Sequence, residues 1–99
     1  MRSIYKYSLL NPYTKIEGCI DKFLDIQIQN GIPVIWAMVD TELRNRKFYI
    51  YCYGTGWELN ESKCEGLGDY LGTVQDNEGY VWHYFLEDIE EEWEKEVTF

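Results

Sequence analysis

At 99 residues the chain can bury one hydrophobic core and is too short to divide into two. An apolar share of 45% excludes disorder over most of its length, and nine Tyr, four Trp and four Phe supply the large, partly polar rings that suit sheets and interfaces. The net charge of −9 argues against direct nucleic-acid binding, which draws on clustered Lys and Arg, and favours a partner with a basic surface.

In chain order, Ser3 to Leu10 is rich in β-formers and stops at the turn-like Asn11-Pro12, which predicts a first strand. Phe23 to Asn30 alternates, with Leu24, Ile26 and Ile28 expected on the buried face and Asp25, Gln27 and Gln29 on the other. Asn30-Gly31 is a two-residue hairpin signal, because a type I′ turn needs positive φ at both positions and these residues tolerate it. The return strand is expected over Val34 to Val39, with Pro33 at the strand's start or on an edge because proline cannot donate to a ladder. Asp40 to Arg46 reads as a polar connection.

Lys47 to Tyr53 predicts another strand, placing Phe48, Ile50 and Cys52 on one face and Tyr49, Tyr51 and Tyr53 on the other. Gly54-Thr55-Gly56 ends it as a turn needing positive φ. Residues 57 to 69 read as a long loop. A second hairpin is expected to join Tyr70 to Gln75 and Tyr80 to Glu87 across Asp76-Asn77-Glu78-Gly79. The fold class is therefore mainly β with one helical element (α+β): about five or six antiparallel strands in a compact sheet, a small sandwich or an open barrel.

Residues 1–87 form the expected β-rich domain and residues 88–99 an acidic extension. From Glu87 to Phe99 there are seven acids and one Lys, a net charge of −6, which leaves −3 for the rest. Leu86, Ile89, Trp93 and Val97 fall on one helical stripe. Helix formation there is opposed by four like-charge i,i+4 pairs, Glu87/Glu91, Asp88/Glu92, Glu90/Glu94 and Glu92/Glu96, against one favourable pair, Glu91/Lys95. A helix this short needs packing, on its own sheet or on a partner. The expected partner-binding residues are Glu87, Asp88, Glu90, Glu91, Glu92, Glu94, Glu96 and Trp93.

No stretch has the length or apolarity of a signal peptide or a membrane span, and Cys19, Cys52 and Cys64 form no C-x-x-C pair, so reduced thiols in a cytoplasm are expected. The same spacing gives no zinc signature, and no cofactor is expected. His83, the sole histidine, shares a strand face with Val81 and Phe85 and reads as a hydrogen-bonded structural residue. The Gly54-Thr55-Gly56 segment lacks a third glycine, since position 59 is Leu59, and no Lys-Ser/Thr pair follows. Without a nucleophile–base pair or a ligand set, an enzyme is the least expected reading. The alternative is a ligand site in which Arg44, Arg46 and Lys47 contact phosphate while Tyr49, Tyr51, Tyr53 and Trp57 stack a base. A half-exposed sheet face made of good β-formers is the plainer explanation.

The pieces Ile4-Tyr5-Lys6-Tyr7, Ile26 to Asp40, Tyr53-Gly54-Thr55-Gly56, Tyr70 to Gln75 and Val81 to Phe85 resemble, in order and spacing, a family of short uncharacterised proteins of tailed bacteriophages. Trp57 stands where that family often has a histidine after the G-T-G turn, and Ile16 to Lys22 lacks its proline-glycine bend. The resemblance implies a phage accessory protein in the bacterial cytoplasm that modulates a host factor, such as a nucleic-acid-handling defence protein. A nucleotide-signal sponge and a structural homodimer are the alternatives.

Overall fold

A computed structural model describes residues 1–58 and 67–87. Within them the chain forms seven strands: β1 (Arg2–Ser8), β2 (Tyr13–Gly18), β3 (Ile20–Gln29), β4 (Ile32–Asp40), β5 (Arg46–Gly54), β6 (Leu67–Gln75) and β7 (Val81–Glu87). All pairings are antiparallel, in a three-stranded sheet ordered β1-β4-β3 and a four-stranded sheet ordered β2-β5-β7-β6. The two sheets face each other as a sandwich and do not close into a barrel. The described residues include no helix, and so none long and apolar enough to cross a membrane. The helix expected over residues 88–99 lies outside them, as does Cys64.

The core lies between the sheets. Ile20, Ile26, Ile35, Ala37 and Val39 from the three-stranded sheet meet Ile16, Phe48, Ile50, Val74 and Tyr84 from the four-stranded one. Strand β4 is central in its sheet, and its continuous apolar run IPVIWAMV places Ile35 and Ala37 at 0% exposure. Complete burial of an isoleucine such as Ile35 or Ile50 contributes about 1.5–3 kcal/mol. Pro33 sits second in β4, beyond the last β1 pair at Ser8 and Val34, so no ladder bond is lost; its carbonyl accepts from the Leu9 N–H at 2.8 Å.

The β3–β4 hairpin forms as expected, with Gln29 opposite Ile32 and positive φ at Asn30 (53°) and Gly31 (79°). Strand β3 corrects the expected inward set. Its ladder with β4 shifts register between Ile20 and Lys22 and again between Phe23 and Asp25. Each extra residue breaks the period of two, so Leu24 turns outward at 40% exposure, while Phe23 packs on the core edge-to-face with Phe48 at 5.5 Å.

The seventh strand is β2, which raises the count above the expected five or six. It carries one buried apolar residue, Ile16, among exposed or half-buried neighbours, because among the described residues it is an edge strand paired with β5 alone. Only Cys19 separates it from β3, so the chain switches sheets within a residue. At Gly18 an added Cβ would come within 3.3 Å of the Tyr7 hydroxyl, so a larger side chain at this crossing would have to shift that ring end. Strand β6 also starts earlier than expected, at Leu67, because pairing continues to Glu87 across two register shifts. The expected loop therefore ends before Leu67.

Candidate functional site

The outward face of the four-stranded sheet carries a ladder of aromatic rings. Alternation along β5 puts Tyr49, Tyr51 and Tyr53 there, opposite in direction to the buried Phe48 and Ile50. Tyr13 of β2 lies across from Tyr51, and Phe85 of β7 pairs with both Tyr51 of β5 and Tyr70 of β6. Ring centroids run Tyr49–Tyr13 5.4 Å, Tyr13–Tyr51 4.6 Å, Tyr51–Tyr53 6.4 Å, Tyr53–Phe85 6.2 Å and Phe85–Tyr70 5.6 Å. Every step falls in the range of favourable ring contacts, so each ring braces the next. The ladder spans all four strands, a width of about 14 Å at ~4.8 Å per strand. Its two outermost members stay open to solvent, Tyr13 at 45% and Tyr70 at 58%.

Glu87 anchors one side of this face. The Tyr51 hydroxyl donates to its Oε1 at 2.6 Å and the Tyr13 hydroxyl to its Oε2 at 3.2 Å. Burial, and then the neighbouring carboxylate, push the Tyr13 hydroxyl up to about 12; the same two causes raise Tyr51. Both rings therefore stay neutral donors at any physiological pH. Of the expected partner-binding acids, Glu87 thus holds the aromatic face together. Asp88, Glu90, Glu91, Glu92, Glu94, Glu96 and Trp93 lie outside the described residues.

Three segments distant in sequence meet beside the ladder. His83 lies across from Tyr53 on one side and Thr73 on the other. Its Nε2 is 2.7 Å from Thr55 Oγ1 and its Nδ1 is 3.0 Å from Thr73 Oγ1, while the Tyr70 hydroxyl hydrogen-bonds Thr73 Oγ1. The G-T-G turn, the Y-L-G-T-V-Q segment and the V-W-H-Y-F segment are thereby tied through one imidazole. Hydroxyls can donate or accept, so Thr55 and Thr73 suit the neutral and the protonated ring alike. The histidine is hydrogen-bonded, as the sequence suggested, and it locks the G-T-G turn onto the sheet.

The phosphate-and-base constellation comes apart. Arg44 sits in the β4–β5 turn. The Arg46 guanidinium lies 5.0 Å above the Phe48 ring, on the core-facing side of β5 and away from the tyrosines. Lys47 is exposed opposite Glu17 at the start of the strand. Trp57 is at the other end, roughly 26 Å away along eight strand residues at ~3.3 Å each, stacked on Gly54 and edge-to-face with Trp82 at 5.4 Å. Only Tyr49, Tyr51, Tyr53 and Lys47 share the outer face. An added Cβ on Gly54 would come within 2.8 Å of the Trp57 indole, so this glycine serves a close approach, whereas Gly56 (φ 88°) supplies the positive φ of the turn.

Sequence reasoning missed Tyr13 and Tyr70 as members of the face. Tyr13 belongs to the strand with the weakest alternation, and Tyr70 is placed by a register shift. Neither the Thr55–His83 nor the Thr73–His83 contact has a local signal, since the residues are 28 and 10 apart. Among the described residues no group of three or more His, Cys, Asp or Glu is placed to hold a metal ion.

A two-sheet antiparallel sandwich with a tyrosine-rich outer face defines the class of architecture. The chain belongs to DUF7352, a domain family of unknown function that matches residues 1–95, a span running past Glu87 into the acidic segment. No curated protein and no solved structure matches it.

Proposed function

We propose that this protein is a bacteriophage accessory module that binds a host protein in the bacterial cytoplasm, using the aromatic face of the four-stranded sheet. The observation that carries this reading is the ladder from Tyr49 to Tyr70, six rings in successive contact on the outer face of the four-stranded sheet, with Tyr13 and Tyr70 exposed. Tyrosine joins a large rigid body to a polar tip and loses little side-chain entropy on contact, which is why it concentrates at interfaces. The acids from Glu87 onward begin at the edge of this face and suit a partner with a basic surface, such as a nucleic-acid-handling defence protein.

The test is site-specific photo-crosslinking in host cells, with the reactive side chain at Tyr49 or Tyr70 and, as the control, at Gln27 on the other sheet. A discrete host adduct from the first two positions and none from the third is expected. In host lysate the yield of adduct should fall when salt is raised from about 0.1 M to about 1 M before irradiation, which shortens the screening length from roughly 10 Å to 3 Å. Identical adducts from both sheets, or none from either tyrosine, would overturn the assignment.

A further inference from the structure

One end of the sandwich opens into a cleft of about 210 Å³, where the β1–β2 connection, the β3–β4 hairpin and the β6–β7 turn converge. Ile28 and Pro33 line it from one sheet, Leu9 from the β1–β2 connection, and Trp82 and Tyr84 from the other sheet. The volume equals that of about seven waters at ~30 Å³ each, room for a single ring with a short chain. The walls are largely apolar, with Asn11 and Asp76 as the polar side chains among the described lining residues.

Among the described residues one charged group, Asp76, stands at the mouth. Asp76 Oδ1 accepts from the backbone N–H of Glu78 at 2.9 Å and of Tyr80 at 3.0 Å, and Oδ2 accepts from Trp82 Nε1 at 3.0 Å. Among the described residues Oδ2 accepts from the Trp82 indole alone, which leaves it room for a second donor beside the indole. The Trp82 hydrogen bond and the turn N–H groups lower the acid's pKa, so it remains ionised. The indole is held from outside by Trp57, edge-to-face at 5.4 Å, and by Tyr80 at 6.3 Å. A fixed indole next to a fixed carboxylate is a favourable setting for a cation. The chain's net charge of −9 attracts cations and repels anions.

We propose that this end cleft binds a small organic ammonium ion, its ring or branched body filling the space between Leu9, Ile28, Pro33 and Tyr84 and its ammonium group resting on Asp76 Oδ2 against the Trp82 ring. An anion would meet the carboxylate, and a neutral hydroxyl would donate to it without the charge assistance that an ammonium supplies. The inference is independent of the aromatic outer face, because Trp82 and Tyr84 point to the inner side of the same sheet.

The test uses the full chain titrated with phenethylamine, 2-phenylethanol and phenylacetate, followed by calorimetry and by the Trp82 indole N–H resonance. The amine is expected to bind saturably and to shift that resonance. The alcohol should bind about tenfold or more weakly, the scale of one charge-assisted hydrogen bond, and the acid not at all. Asp76→Asn keeps an acceptor for the turn and should bring the amine down to the alcohol's affinity; Ile28→Trp should fill the cleft and abolish binding of both. Cys52 also lines the cleft. In the unmutated chain the amine should therefore slow its alkylation and leave that of Cys19 unchanged, a readout that holds even where a variant fails to fold. Equal affinity for amine and alcohol, full amine binding by a folded Asp76→Asn protein, or no protection of Cys52 would refute the assignment.

Discussion

Truncating two neighbouring residues of β3 separately tests the bulged register. In an unbroken alternation Leu24 faces inward with Ile26, and Phe23 faces solvent. The register shift between Phe23 and Asp25 reverses this, leaving Leu24 at 40% exposure and setting Phe23 edge-to-face against Phe48 at 5.5 Å. Removing a fully buried phenylalanine costs about 3–5 kcal/mol. Phe23 is half-buried but loses its ring contact as well, so about 2–3 kcal/mol is expected for Phe23→Ala. Leu24→Ala removes an outward side chain on an edge strand and should cost about 0.5–1 kcal/mol. At roughly 4–8 °C per kcal/mol for a domain of this size, Phe23→Ala should lower Tm by at least about 8 °C and clearly more than Leu24→Ala. Urea denaturation of the two variants under one buffer condition measures the difference. A Leu24→Ala cost equal to or above that of Phe23→Ala would refute the bulged register.

Two further outcomes follow from the site geometry. Free tyrosine side chains ionise near pH 10, whereas Tyr13 is pushed up to about 12 by burial and then by Glu87. The unfolded chain therefore loses this proton first, and stability present below about pH 10 should drain away as pH rises towards 12. Glu87→Gln removes the negative charge beside Tyr13 and Tyr51, so urea midpoints across that window should fall less steeply than in the parent protein; an unchanged slope would show that the carboxylate does not act on these rings. Gly54→Ala should displace the Trp57 indole, because the new Cβ would lie 2.8 Å from it. The expected readout is altered tryptophan emission with a cooperative melt retained, and an unaltered spectrum would contradict the packing of Trp57 on Gly54.

Much of the β architecture was legible because strand formation leaves local marks. Phe48, Ile50 and the three tyrosines of β5 alternate without interruption, so both faces of that strand could be read from its residues alone. Asn30-Gly31 announced its hairpin because few residue pairs tolerate positive φ twice in succession, and both residues adopt it. Strand β2 left no such mark: an edge strand with one buried residue has little hydrophobic period to show. The candidate site was half legible. Tyr49, Tyr51 and Tyr53 were placed together correctly, but grouping them with Arg46 and Trp57 treated nearness in sequence as nearness in space. A strand sends successive side chains to opposite faces and carries its two ends far apart.

The distribution of charge is a property of the sequence by itself: about two-thirds of the net −9 lies from Glu87 onward, whatever the fold. The alternation of β5 and the turn chemistry of Asn30-Gly31 are likewise written locally. Tertiary structure alone decided that Phe23 displaces Leu24, that Tyr13 and Tyr70 complete the aromatic ladder, and that Thr55 and Thr73 flank His83. The reason is the same in each case. Strand pairing joins residues through register and sheet order, and a single bulge resets every contact beyond it, so these neighbours depend on the long-range ladder and not on the residues beside them in the chain.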